Sequence, residues 1–261
     1  MSGQAEAGSS ALPATEQAQK RAHDGGAAVP RLVLASASPS RARILEAAGL
    51  PFTVVVSDVD EDAIAAAHPL ASPAETAQLL ARAKAEDVAG HPEASGALVI
   101  GCDSVFELDG VAYGKPWEPE VAMERWRAQS GRTGELHTGH WVVDNRDVGT
   151  GADAQPGRSA EVAAVSEPDD GAPLARPATG ALSSAAVTFA EVDEEEITAY
   201  VATGEPLQCA GAFTIDGRGA AFVTVVEGDP NAVIGLSVSS LRSLLAEFEV
   251  SLASLWESHG A

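Results

Sequence analysis

The sequence predicts an α/β fold, and three observations carry that prediction. At Arg31-Leu-Val-Leu-Ala-Ser-Ala-Ser-Pro-Ser-Arg-Ala-Arg43 an apolar run stops at small hydroxyl residues and helical spacing begins, the pattern of strand, tight turn and helix. Ala97-Leu-Val-Ile-Gly-Cys-Asp103 is continuous in apolar residues, as expected of a central strand covered on both faces. Ser72-Pro-Ala-Glu75 and Asp193-Glu-Glu-Glu196 are capping boxes that open helices between such strands. With 261 residues the chain can bury a full core, as one substantial α/β domain or two small ones.

Composition narrows the function classes. Aromatic residues are 5% of the chain, so Ala, Val and Leu must build the core. Against 16 Lys and Arg stand 38 Asp and Glu, a formal net charge of −22 that opposes binding to DNA, RNA or anionic lipid. An anionic small ligand is compatible with that charge where a few basic residues are concentrated in one pocket. Cys102 and Cys209 offer neither a disulfide framework nor metal-ligand spacing, which suits a reducing cytoplasm. No run approaches transmembrane length, and residues 1–29, rich in Ala, Gly, Gln and Ser, lack the pattern of a signal peptide. The expectation is a soluble cytoplasmic protein with a disordered N-terminal extension over 1–29.

In chain order, Leu32 to Ala35 read as a buried strand and Ser38 as the N-cap of a helix with Pro39 in its first turn. Ile44, Leu45 and Ala48 share the inner face of that helix. Its unpaired first-turn amides, with Ser36, Ser38, Ser40, Arg41 and Arg43 around them, can hold a phosphate, or the turn can simply cap the helix. Gly49 stops the helix and Phe52 to Val56 form a second strand, ending in Ser57-Asp-Val-Asp-Glu-Asp62. Those carboxylates either bind a divalent cation or are solvated. The Ser72 helix runs to about Ala89, with Gly90 behind it, and carries Lys84.

The strand from Ala97 ends on Asp103, a position suited to a catalytic or metal-binding carboxylate and also to a helix cap. Val105 to Leu108 and Val111 to Tyr113 flank Asp109-Gly110, a strong hairpin signal. Lys115 lies between Gly114 and Pro116, which suits a fixed cation, and a helix follows from about Pro119 to Gln129. Leu136 to Asp144 is a strand in which His137 and His140 point to opposite faces, a poor metal site. Residues 145–186 lack periodicity and read as a flexible insertion. Val187 to Val192 form a strand, and the Asp193 helix ends near Gly204. Gly211, Gly217 and Gly219 are too scattered for a dinucleotide fingerprint and read as a loop that lets backbone approach a ligand. Ala221 to Val226 form a strand, Glu227 to Asn231 a turn, Leu236 to Phe248 a helix, and 251–261 a tail helix carrying Trp256.

Seven motifs in this order resemble the Maf family of nucleoside triphosphate pyrophosphatases. They are Leu-Ala-Ser-Ala-Ser-Pro-Ser-Arg (34–41), Ser-Asp-Val-Asp-Glu (57–61), Ala-Arg-Ala-Lys-Ala (81–85), Gly-Cys-Asp-Ser (101–104), Gly-Lys-Pro (114–116), Ser-Gly-Arg-Thr (130–133) and Ala-Gly-Ala-Phe-Thr-Ile-Asp-Gly (210–217). The resemblance implies an elongated, mixed, twisted sheet with helices on both sides and two lobes around a nucleotide cleft, within a domain spanning 30–250. It implies hydrolysis of a nucleoside triphosphate to the monophosphate and pyrophosphate, a house-cleaning activity, and allows a homodimer. It implies that Asp103 is the proton acceptor, Glu61 the metal- and water-handling carboxylate, and Ser38, Arg41, Lys84 and Lys115 the phosphate-binding groups. Mg²⁺ or Mn²⁺ held by Glu61 and Asp103 would neutralise charge and position water, and Ser36 is a further substrate-binding candidate. A nucleotide-binding regulator of cell division or septum formation is the alternative from a different class.

Substrate choice is where the chain departs from the family pattern. The pyrimidine-nucleotide branch usually has Arg, Thr and Gln where this chain has Ser40, Ser104 and Asp216, the candidates for base contact. Gln208-Cys209 stands for a common Asp-Lys, and Gly134 for a common His. The resemblance points to dTTP and UTP or modified pyrimidine nucleotides, with 7-methyl-GTP as the other branch.

Overall fold

A computed structural model describes residues 29–146 and 176–257. Its seven-stranded mixed sheet has the order β2-β1-β3-β5-β6-β7, with β4 paired to β3. The strands are β1 (Arg31–Leu34), β2 (Phe52–Val54), β3 (Ala97–Leu108), β4 (Val111–Tyr113), β5 (Thr133–Asp144), β6 (Ala178–Phe189) and β7 (Val223–Glu227). Eight helices accompany them: α1 (Pro39–Ala47), α2 (Glu61–Ala67), α3 (Pro73–Ala89), α4 (Pro119–Gln129), α5 (Glu194–Ala202), α6 (Pro230–Ile234), α7 (Val238–Glu247) and α8 (Leu252–Glu257). Strands β1, β2 and β3 run parallel, and the remaining pairings are antiparallel. The α/β class is as expected. Among the described residues no helix is long and apolar enough to cross a membrane.

Side-chain alternation along β3 divides the packing. Leu98, Ile100 and Cys102 face one side and join Leu45, Leu241, Leu245 and Leu255 from α1, α7 and α8. Val99 faces the other and joins Ala85, Val88 and Ala89 of α3. Toward the far ends of β3 and β5, a separate aromatic core forms from Phe106, Trp126, Phe189, Tyr200 and Phe213. Its rings meet edge to face, as with Phe189 and Phe213 at 4.9 Å, the arrangement that aromatic quadrupoles favour. One long sheet thus carries a core at each end, with helices on both faces.

The helix α3 lies almost directly on the sheet backbone. A Cβ on Gly101 would stand 2.1 Å from the Ala81 carbonyl oxygen, and one on Gly139 2.4 Å from that of Ala77. Only glycine admits so close an approach. The capping box at the start of α3 forms as expected: Ser72 Oγ accepts from Glu75 N–H while the Glu75 carboxylate accepts from Ser72 N–H.

Several boundaries correct the sequence reading. The central strand does not end at Asp103 but runs on to Leu108, merging with the first arm of the hairpin. β6 begins at Ala178, so residues 178–186, read as insertion, are strand. Their small residues carry no alternation to detect, and their order comes from pairing with β5 along its length. The rest of that segment, 147–175, and the extension over 1–28 lie outside the described residues. The helix expected from Leu236 starts at Val238, because Ser237 caps it through Ser240 N–H. Ahead of it, Asp229 opens the unexpected α6 by accepting from Asn231 N–H. β2 stops at Val54, and the strand read from Val187 to Val192 stops at Phe189.

Candidate active site

The site begins with a gap in the sheet. On one edge β3 pairs with β5 from Leu98 to Glu107. On the opposite edge β1 covers Ala97–Ile100 and β4 covers Phe106–Leu108, leaving 101–105 without a described partner strand. Asp103 and Ser104 occupy that gap. Alternation sends their side chains to opposite faces, Asp103 toward α3 and Ser104 toward α1.

On the α3 face, Lys84 is buried and bridges two carboxylates. Its Nζ lies 2.5 Å from Asp103 Oδ1 and 2.7 Å from Glu61 Oε1. Glu61 arrives on the first turn of α2, which Asp60 caps by accepting from Ala63 N–H. Burial pushes the Glu61 carboxyl up, but Lys84 at close range, with Lys115 and Arg41 further off, outweighs it and holds the group below the usual value. Three cations therefore act on one carboxylate, which is the concentration of positive charge that so acidic a chain needs to hold an anion.

On the α1 face, Arg41 is buried and fixed by donating to three acceptors. Nε binds Gly235 O at 2.8 Å, Nη1 binds Ser36 Oγ at 3.0 Å and Nη2 binds Ser104 Oγ at 3.2 Å. Two of the five guanidinium N–H groups are left for a ligand. Ser104 in turn meets Thr138 Oγ1 at 2.9 Å, and Thr138 donates to Ala232 O, so the hydroxyls are aligned away from the guanidinium. Ser38 occupies the N-cap position of α1, yet its side chain makes no cap; Ser36 Oγ instead accepts from Ser38 N–H at 3.2 Å. The expected capping role of Ser38 is thus corrected, which leaves its hydroxyl and the α1 amides at the turn.

Arg43 links α1 to the segment around Asp216. Its Nη2 binds Ser40 Oγ at 3.0 Å and Asp216 Oδ2 at 2.8 Å, and Thr214 also donates to Asp216. Burial raises the Asp216 carboxyl, but the Thr214 and Arg43 hydrogen bonds hold it below its usual value. Lys115 is exposed on the loop after β4, with its Nζ 5.1 Å from the Trp117 ring. Cys209, close enough to feel Asp216, Lys115 and Arg43, has its thiol pushed up to about 11 by burial, and Cys102 likewise, so neither is a nucleophile at neutral pH.

The structure therefore gathers Glu61, Lys84 and Asp103 on one face, Ser36, Arg41 and Ser104 on the other, and Ser40 with Asp216 at the rim. Asp58 N–H donates to the Asp87 carboxylate on α3. His137 and His140 are structural, as expected. His137 binds Glu107 and Ser184, and His140 Nε2 accepts from Ser237 N–H. Sequence reasoning missed Thr138, which only strand register places opposite Ser104. It placed Arg43 among the donors at the α1 turn, whereas the side chain binds Ser40 and Asp216, and it overlooked Trp117, whose signal was its position two residues after Lys115. The departure at Gly134 has a steric cause: a Cβ there would stand 2.3 Å from the Phe106 ring.

Residues 31–248 match the Maf-like protein family. A nucleoside triphosphate pyrophosphatase of Leifsonia xyli is 48% identical over 236 residues, covering 88% of this chain and 98% of that protein. Proteins of the same name from Streptomyces avermitilis and Streptomyces coelicolor are 45% and 47% identical, each covering 87% of this chain and 94% of the relative.

Proposed function

This chain belongs to the Maf family, and from that premise we propose that it hydrolyses a nucleoside triphosphate at the α–β anhydride, yielding the monophosphate and pyrophosphate. The observation that carries the reading is the buried Lys84 held between Glu61 and Asp103 at the gap in β3, with Arg41 and Lys115 acting on the same carboxylate. Such a site holds a polyanion and carries a carboxylate beside it.

The reaction needs positive charge in fixed places, because negative charge gathers on the phosphoryl oxygens and on the departing pyrophosphate. Arg41, the α1 amides and the hydroxyls of Ser36 and Ser38 bind phosphate oxygens on one side, and Lys84 and Lys115 on the other. Asp103 accepts the proton of the water that attacks the α-phosphorus. The bond from that phosphorus to the bridging oxygen breaks, pyrophosphate leaves with the electron pair, and Asp103 returns its proton to solvent.

The donor set fits Mg²⁺ or Mn²⁺. Lys84 occupies one oxygen of each carboxylate, leaving Asp103 Oδ2 and Glu61 Oε2 as hard donors. No group of three or more His, Cys, Asp or Glu among the described residues is placed to hold a metal. An ion held by Glu61 and Asp103 would draw its remaining ligands from water and substrate phosphates, as is usual for Mg²⁺ and Mn²⁺. When bound, such an ion neutralises phosphate charge and acidifies the attacking water. Ser40, Ser104 and Asp216 are the base-side candidates, and dTTP, UTP or a modified pyrimidine nucleotide is the substrate we favour. Free cysteines and the net charge of −22 fit a cytoplasmic enzyme of small nucleotides.

A pyrophosphate-release screen over ordinary and modified nucleotides, with and without Mg²⁺ and Mn²⁺, tests the reading together with Asp103→Asn. The variant keeps the shape but cannot accept the proton, and should lose ~10²-fold or more in turnover, the scale of a general base. Near-normal metal-dependent hydrolysis by Asp103→Asn would move the proton acceptor elsewhere, to Glu61 first. Pyrophosphate from no nucleotide would sink the activity itself.

A further inference from the structure

We propose that Trp117 is a positioning residue that holds Lys115 in place for the triphosphate through a cation–π contact. The inference rests on the reading of Lys115 as a phosphate-binding group. Lys115 is exposed, and among the described residues it forms no hydrogen bond or salt bridge; the contact its ammonium makes is with the Trp117 ring, 5.1 Å from the centroid. A lysine on a solvated loop otherwise moves freely through its side-chain rotamers, and fixing it costs side-chain entropy at the moment of binding. A ring already against the ammonium removes part of that cost.

The backbone is built to present that ring. Trp117 has φ +61°, a left-handed conformation that a bulky residue adopts only where its surroundings hold it. Here the surroundings do. Trp117 N–H donates to Leu207 O at 3.0 Å, and Glu118 N–H closes a tight turn on Pro116 O at 2.7 Å. The Gly114 carbonyl accepts from Gly211 N–H and from Arg125. The loop Gly114-Lys-Pro-Trp117 is thus pinned at both ends to the segment 207–211. The indole is 60% exposed although the aromatic core of Phe106, Trp126 and Phe213 lies nearby. Its ring is therefore spent on Lys115 rather than on the core, at a strained backbone position.

The test is a double-mutant cycle. Trp117→Leu keeps apolar bulk and the same backbone demand but has no π face, whereas Trp117→Phe retains one. Trp117→Leu should weaken KM for the best triphosphate by about two- to fivefold with kcat little changed, the size of an exposed cation–π contact, and Trp117→Phe should lose less. In a Lys115→Ala background Trp117→Leu should add nothing. Calorimetric titration with a triphosphate in the absence of metal should give the same order of affinities, so this inference stands or falls separately from the hydrolytic reading. A leucine variant equal to phenylalanine, an undiminished leucine effect without Lys115, or no triphosphate binding by the unaltered protein would each overturn it.

Discussion

The contact between α3 and the sheet makes one perturbation especially informative. Gly101→Ala adds a methyl group 2.1 Å from the Ala81 carbonyl oxygen and 2.8 Å from Ala85 N and Cβ. Real Cβ contacts essentially never fall below 3.0 Å, so backbone must separate by about 0.9 Å. No flexible side-chain end can yield instead, because the nearest atom belongs to a hydrogen-bonded helix. Overpacking of this kind costs about 1–3 kcal/mol. At about 2–4 °C per kcal/mol for a chain of this size, the melting temperature should drop by several degrees. Lys84 sits on the displaced turn, immediately before Ala85, so its 2.5 Å contact with Asp103 must lengthen or break. A shift near 1 Å in a catalytic constellation is worth on the order of 10²-fold in rate. Differential scanning calorimetry and pyrophosphate release on the same folded preparation read both effects. A variant that melts within a degree of the parent and keeps its rate would show that α3 is not seated as described. One that loses stability but keeps its rate would show that the Lys84–Asp103 contact is not needed for turnover.

Two further predictions address specificity and pH. Asp216→Gln removes the anchor of Arg43 at the rim and should change the ranking among nucleotides more than the best rate; a uniform fall over all substrates would place Asp216 in the phosphate machinery or the fold. Burial lowers the His140 imidazole from 6.5 to about 4, so the unfolded chain binds the extra proton between those values. Stability is then complete above 6.5 and is lost as pH falls toward 4, with a slope of up to about 1.4 kcal/mol per pH unit. Urea denaturation between pH 7 and 4.5, with a proton NMR titration of His140, checks this, and an imidazole titrating near its ordinary value would refute it.

Where local chemistry decides an element, the sequence was readable. Both capping boxes form, at Ser72 with Glu75 and at Asp193 with Glu196. The Asp109-Gly110 hairpin also forms, both residues taking the positive φ its turn requires. Elements that depend on distant partners were not readable. Ala178 to Ala186 have neither apolar alternation nor strong strand propensity, and their order comes from backbone pairing with β5. The length of β3 was hidden for a related reason. Asp103 looks like a terminus because polar residues usually mark one, and it lies mid-strand because the helix α3 brings a cation to meet it.

That placement explains why the site residues could be nominated one by one but not assembled from spacing. Asp103 and Ser104 are adjacent in sequence and face opposite sides of the sheet, so no helical or strand periodicity joins Lys84 to Arg41. What joins them is the unpaired edge of β3, where β1 has ended and β4 has not begun. A strand with both edges covered would bar a ligand from reaching both faces at once. A strand with one edge free of a described partner over 101–105 is where the proposed substrate would lie, with Lys84 on one side and Arg41 on the other. The gap therefore has to fall at Asp103, and what sets it is the short β1: its last pair is Leu34 with Ile100, and Ala35 N–H makes the final bond to Ile100 O before the chain turns into the serine-rich loop. Extending β1 by two residues would cover Cys102, displace Ser36 from Arg41 and shorten the gap, so the abrupt change from Leu34-Ala35 to Ser36 in the sequence is the same event as the opening of that gap.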